Sequence, residues 1–299
     1  MLKKHLFPLI FLFVTLFSNK IIAQPADDLL SLVGEDKPKK EFVKNAFKST
    51  KVINGHSMEF LSAGTMDFRI LHRFGLLDQG YKNFFGLDQA SMRMAFDFGL
   101  LPNLMAGIGR STYKKEVDGF IKYAPIRQAT GTKGLPLTIA IVSGMTWNTA
   151  PWPDPTIHNY NTSRLAYYFQ GIFGRKFSES LSLQLSPTLL HRNIVALNTT
   201  PNDEYSIGFA GRYKVTKRMA ITWDYFYRIN GREKNVTFDP ISIGIDIETG
   251  GHVFQLHVSN CVGMNERAFL DETTSNWLKG GIRFGFNLSR VFQLKSHNE

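Results

Sequence analysis

From about residue 65 onward the chain alternates, residue by residue, between two kinds of side chain, and period two is the repeat of a β-strand with two unlike faces. In 205–215, Tyr205, Ile207, Phe209, Tyr213 and Val215 share one face, while Ser206, Gly208, Ala210, Arg212 and Lys214 share the other. Met219, Ile221, Trp223, Tyr225 and Tyr227 then alternate with Ala220, Thr222, Asp224, Phe226 and Arg228. Met92, Met94, Phe96 and Phe98 alternate with Arg93, Ala95 and Asp97, and Ile241, Ile243, Ile245 and Ile247 with Ser242, Gly244, Asp246 and Glu248.

A soluble sandwich also alternates, so the make-up of the polar face decides the environment. Here that face is rich in Gly, Ala and Ser mixed with charges of both signs, and the apolar face carries large residues in strand after strand. A barrel with a lipid-facing exterior and a hydrated, space-limited interior predicts this combination. A secreted soluble β-protein is the rival at the level of fold.

Spacing supplies a second test. Strand-like runs fall near 65–74, 91–100, 104–111, 116–126, 135–147, 164–175, 181–190, 204–215, 219–228, 241–248, 252–259 and 277–292. Short connectors at 101–103, 177–180, 216–218 and 249–251 alternate with long ones at 75–90, 148–163, 191–203, 230–240 and 260–276. Connector 127–134 is intermediate, and 112–115 is shorter than its position predicts. Short periplasmic turns opposite long external loops are the outer-membrane arrangement. Tyr123, Trp147, Tyr205, Tyr213, Trp223, Tyr227 and Trp277 fall at run ends, as interfacial aromatic belts require. The expectation is an all-β fold, a transmembrane antiparallel β-barrel of about twelve strands over 65–299, preceded by a short, partly helical leader.

Residues 1–23 read as an export signal, with Lys3 and Lys4 before the apolar run 6–17 and a cut near Ala23. That run is too short for an ordinary spanning helix, which needs about 20 apolar residues. Elsewhere the 43% of hydrophobic residues alternate rather than cluster, so no further membrane helix is expected. Over 24–64 the leader sets Phe42, Val43, Ala46 and Phe47 on one helical face, with a second apolar group at 29–33, and it suits one or two short helices on the periplasmic side or tucked into the barrel as a plug. A mobile leader is the alternative.

Loss of the signal removes Lys3, Lys4 and Lys20 but no acid, taking the net charge from +10 to +7. In an exported barrel that excess suits anionic lipid headgroups or an anion-favouring interior, and a scattered basic surface accounts for it equally. Nucleic acid is not an expected partner, because no basic stripe interleaves with aromatics. Cys261 is the only cysteine, so neither an internal disulfide nor a cysteine-based zinc site can form within one chain.

If the apolar faces meet lipid, then Asp67, Arg69, Arg73, Arg93, Asp97, Asp118, Lys122, Arg212, Lys214, Asp224, Arg228, Asp246, Glu248 and Arg283 line the lumen. Eight basic and six acidic groups in an open pore would favour a small anionic solute. In a closed interior the same charges would instead pair across neighbouring strands. No cofactor and no metal site is expected: His252 and His257 are an odd number of residues apart, on opposite faces of a strand. No G-x-S-x-G elbow is present. A membrane-embedded hydrolase would have to draw on His72, His191 or His257, which lie in or near strands. The proline-stiffened Pro151-Trp152-Pro153-Asp154-Pro155 carries a Trp suited to touch a ligand or partner, or to fold over the barrel mouth.

Lys279-Gly280-Gly281-Ile282-Arg283-Phe284-Gly285-Phe286 resembles the terminal assembly signal of outer-membrane barrels, and the resemblance implies the barrel assembly machinery as a partner. The chain departs from that signal by running on from Asn287 to Glu299. More broadly, the segments 44–50, 53–57, 67–75, 86–90 and 107–110 make it resemble an uncharacterised family of exported β-barrel proteins of Gram-negative bacteria. That resemblance implies fold and an outer-membrane location, and it carries over no catalytic or binding residue. Three functions stay open: a passive small-solute channel or binding barrel, a structural or complex-forming barrel with a closed lumen, and the hydrolase.

Overall fold

The computed structural model describes residues 40–294 apart from 133, 153, 157, 159, 196–199 and 232–235. The export signal, the apolar group at 29–33 and Pro153 lie outside the described residues. Two short strands, β1 (Glu41–Phe42) and β6 (Ala129–Thr130), pair only with each other. Twelve long ones form the wall: β2 (Thr65–Leu76), β3 (Ala90–Leu101), β4 (Leu104–Ser111), β5 (Glu116–Ile126), β7 (Thr138–Asn148) and β8 (Leu165–Lys176), then β9 (Leu181–Arg192), β10 (Asp203–Lys214), β11 (Met219–Arg228), β12 (Ile241–Thr249), β13 (His252–Ser259) and β14 (Arg283–Gln293). Each wall strand is antiparallel to its neighbours, and β14 returns to pair with β2, closing the barrel. Closure leaves no unpaired wall edge, which a lipid environment demands of any spanning sheet. Among the described residues no helix is long and apolar enough to cross a membrane.

Register puts the two residue classes on the two surfaces of the wall. On the outside Ile121, Ile141 and Phe169 are each more than half exposed, and Phe254, Phe286 and His72 stack across three adjacent strands with centroids 5.0–5.8 Å apart. Small residues on the inner face let the interior fill: a Cβ built on Gly107 or Gly208 would sit within 2.6 Å of the rings of Phe120 or Phe226.

Three sequence expectations are corrected. Residues 41–48 are not helical; Glu41 and Phe42 are extended against β6, and Asn45 takes a positive φ of 58°. The pairing also accounts for the intermediate connector after β5, because that connector supplies β6. The last strand begins at Arg283 rather than near 277, since Trp277–Lys279 form a 3-10 turn closed by left-handed Gly280, and Trp277 is therefore a loop residue. The short 112–115 link turns within a single 3-10 step, Tyr113–Lys115, in which Lys114 and Lys115 both adopt positive φ.

Residues 46–61 are largely buried inside the wall before β2 begins, and Gly99 marks how closely the chain that follows lies against it. A Cβ there would stand 2.0 Å from the carbonyl oxygen of Ser62, while the Gly64 N–H donates to the Gly99 carbonyl at 2.8 Å. Gly99→Val is expected to cost about 1–3 kcal/mol through overpacking against backbone that has no side chain to move aside. A lowered denaturant midpoint for the refolded barrel, with a retained heat-modifiable gel band, is the measurement.

Candidate functional site in the filled barrel interior

Inside the wall, residues 50–57 fold back on themselves: Val52 N–H donates to Gly55 O at 2.8 Å and Ser57 N–H to Thr50 O at 3.0 Å. This backbone has no sheet or helix to satisfy it, and unpaired peptide groups at membrane depth are costly, so the wall must supply partners. Asp224 on β11 accepts the N–H groups of Ile53, Asn54 and Gly55 at 3.3, 2.6 and 3.2 Å. Gln255 donates to Val52 O at 2.6 Å, Asn287 to Ile53 O at 3.2 Å, Gln184 to His56 O at 2.7 Å and Lys122 to Glu59 O at 2.6 Å. The polar face thus solvates a peptide segment. Beside it, Phe47, Val52, Met58 and Leu61 join Phe120, Val142, Ile172 and Leu190 of the wall in one buried apolar cluster.

The fourteen charged residues expected in the lumen divide by partner. Arg93 binds Asp118 through two nitrogens, Nε at 2.9 Å. Arg69 donates to Thr50 Oγ1 at 2.6 Å, and that hydroxyl donates to Asp97 at 3.1 Å, so the inserted segment bridges the pair. Arg73 donates to Asn54 Oδ1 and Cys261 O, each at 3.0 Å. Asp67 accepts from Ser289, Asp246 from Gln255 and Thr222, and Glu248 pairs with Lys48 at 2.7 Å. Arg228 reaches Asp239 at 3.3 Å and Glu204 at 3.7 Å, and Arg283 donates to Phe74 O at 3.4 Å. Arg212 is buried with its Nε unpartnered, and Lys214 sits half-buried at the turn-side end of β10.

Several buried charges escaped the sequence reading. Glu116 and Glu204 stand at strand starts, on the inward parity of Asp118 and Ser206, so strand phase alone would have found them. Arg192 lies just past where the run was expected to stop. Lys51 and Glu266 carried no signal, because neither belongs to a wall strand.

Glu266 begins the helix α1 (Glu266–Asp271), set in the long loop between β13 and β14 and capped by Asn265, whose side chain accepts Ala268 N–H at 2.8 Å. Its carboxylate binds Lys51 Nζ and lies 3.2 Å from His56 Nε2. Phe269 and Leu270 of the helix enter the apolar cluster. The inserted segment, coming from the turn rim, and this loop, coming from the long-loop rim, therefore meet inside the barrel. Arg267 binds Glu116 and Glu272, and Arg192 binds Asp271, fastening the loop to β5 and β9. Burial alone would raise the carboxyl of Glu272, but Arg267 and Lys114 outweigh it and hold the group at about 2.

The three histidines considered for hydrolysis are not brought together. His72 stacks on Phe286 on the outer face, His191 is exposed and 2.7 Å from Asp203, and His257 is buried inside with neither ring nitrogen partnered. Among the described residues no serine is hydrogen-bonded to a histidine side chain, and no three His, Cys, Asp or Glu side chains gather as metal ligands.

No curated protein matches the chain in sequence. Solved structures similar to it include the NanC porin, at 8% identity over 76% of this chain and 98% of that one with a TM-score of 0.45. The KdgM porin is similar at 10% identity, 76% and 99% coverage and a TM-score of 0.45, and at 0.46 in its complex with disordered oligogalacturonate. The family described as the membrane bound beta barrel domain, DUF5777, matches residues 47–292, from the inserted segment through the last wall strand, and the chain belongs to that family.

Proposed function

We propose that the protein is an outer-membrane barrel held shut by its own N-terminal segment, with residues 43–61 acting as a plug, so that passage of any solute waits on the plug's displacement. The observation that carries this reading is the three-fold capture of Ile53, Asn54 and Gly55 by Asp224. A wall carboxylate placed to hold the tip of a separate segment is what a plugged barrel requires. Residues 24–64 then form the periplasmic leader and plug, following a signal cut near Ala23, and 65–299 form the barrel, assembled by the barrel assembly machinery into outer-membrane lipid.

Glu116 and Glu204 draw the inner wall towards neutrality, so any preference for a small anionic solute is weak. A second reading, a complex-forming barrel whose lumen stays closed, is favoured by the apolar cluster that the plug shares with the wall. Such a cluster seals as a soluble core does.

The intact chain, refolded and inserted in a planar bilayer, is expected to give no steady conductance steps at low voltage. Persistent ohmic steps from the intact chain would overturn the plug assignment.

A further inference from the structure

At the long-loop rim lies a cavity of about 400 Å³ that the plug does not reach. The apolar part of its lining comes from Ala150, Pro151 and Trp152 of the loop after β7, Leu165 and Ala166 of β8, and Ile194, and charged side chains complete it. This is where the proline-flanked tryptophan lies. The volume is at the small end of the range that ligand sites occupy, about 300–1,000 Å³, and suits roughly one ring with its substituents.

The charges around the cavity are unequally matched. Arg267, Arg192 and Lys114 are each committed to a carboxylate, through Glu116, Glu272 and Asp271. Arg164 has none. Its Nη1 donates to the carbonyls of Asn148 (2.9 Å) and Ala150, and its guanidinium lies 3.9 Å from the centre of the Trp152 ring. The remaining donors of Arg164 have no partner among the described residues. Deeper in the wall, the Nε groups of Arg192 and Arg267 are shut off from the cavity, which leaves Arg164 as the cation that faces it without a carboxylate. A chamber whose exposed lining is largely apolar, with one guanidinium that has no carboxylate partner, suits a single negative charge on a compact apolar body. Glu272 stays ionised at ordinary pH, so its charge already answers those of Arg267 and Lys114.

We infer that this cavity is a binding site for a small organic monocarboxylate, held by Arg164 through its carboxylate and by Trp152, Leu165 and Ile194 around its body. The site stands whether or not residues 43–61 act as a plug, because none of its lining residues belongs to that segment.

The test uses the refolded full chain in detergent, with Trp152 as the reporter. Benzoate supplies charge and body together, acetate the charge alone and benzyl alcohol the body alone. Benzoate is expected to change tryptophan fluorescence saturably, with a Kd on the order of 1 mM or tighter. Acetate and benzyl alcohol should each bind at least about tenfold more weakly. Arg164→Met should weaken benzoate by about tenfold or more, Arg164→Lys by less, and Trp152→Phe should remove the optical signal while calorimetry still registers binding. Both arginine variants should keep the heat-modifiable gel band, since Arg164 lies at the rim of the wall. The proposal is overturned if benzoate does not saturate, if acetate or benzyl alcohol binds as well, or if Arg164→Met binds benzoate as the parent does. None of these results bears on conductance, so the site and the plug can fail separately.

Discussion

Excision of residues 43–61, with the flanks rejoined, is expected to turn a silent barrel into one that conducts in discrete steps. The wall does not depend on the plug for closure: each of its twelve strands is laddered to two neighbours, and the ring is complete from β2 to β14. Its outer face is also unchanged, so insertion into lipid should persist. What the deletion removes is the backbone satisfied by Asp224, Gln255, Asn287, Gln184 and Lys122, whose side chains would then meet water. The loop carrying α1 would remain as a partial constriction, now without the Lys51 partner of Glu266. Steps of modest size and weak ion selectivity are therefore expected, given the near balance of acids and bases on the wall. A deletion variant that keeps its heat-modifiable band but passes no current would show that the outer loop alone closes the barrel.

Asp224→Ala is expected to release the plug tip without unfolding the wall. The substitution strands three backbone N–H groups in the barrel interior, where each unmade bond to a charged acceptor costs about 1–3 kcal/mol. Allowing for partial relaxation, ~3 kcal/mol in total raises the open fraction of the plug by roughly 100-fold. The protein carries its own reporter. Cys261 is fully buried and its sulfur lies 4.0 Å from Asn54 Nδ2, so a maleimide should reach it only when the tip moves away. Labelling of Cys261 in the refolded variant should accelerate by about two orders of magnitude, and Asp224→Asn, which keeps one acceptor oxygen, should fall between. An unchanged labelling rate would mean that Asp224 does not hold the tip, whatever its geometry.

The wall was legible because two local rules act on every strand. Side chains alternate across a strand, and lipid on one side and protein on the other select opposite residue types. The phase of Ile241, Ile243, Ile245 and Ile247 could therefore be read without any knowledge of neighbours. The same phase, read at the first residues of the runs at 116–126 and 204–215 and carried two residues past 190, would have added Glu116, Glu204 and Arg192 to the inner face. Helix periodicity misled at 41–48, since the spacing of Phe42, Val43, Ala46 and Phe47 suits a helix but the segment is shaped by its surroundings: Phe42 is extended against β6, while Phe47 sinks into the apolar cluster. Tertiary context overrides propensity in short segments.

By itself, then, the sequence determined the number of wall strands, their inward and outward faces and the closed antiparallel ring, all consequences of local alternation and connector length. Only the tertiary structure decided which partners the inward polar residues take. Asp224 with Asn54, Lys51 with Glu266 and Arg164 over Trp152 join positions 170, 215 and 12 residues apart, held by irregular segments with no periodicity to read. Such partners are chosen by where the loops come to rest inside a finished wall, and that is a property of packing rather than of any local run of residues.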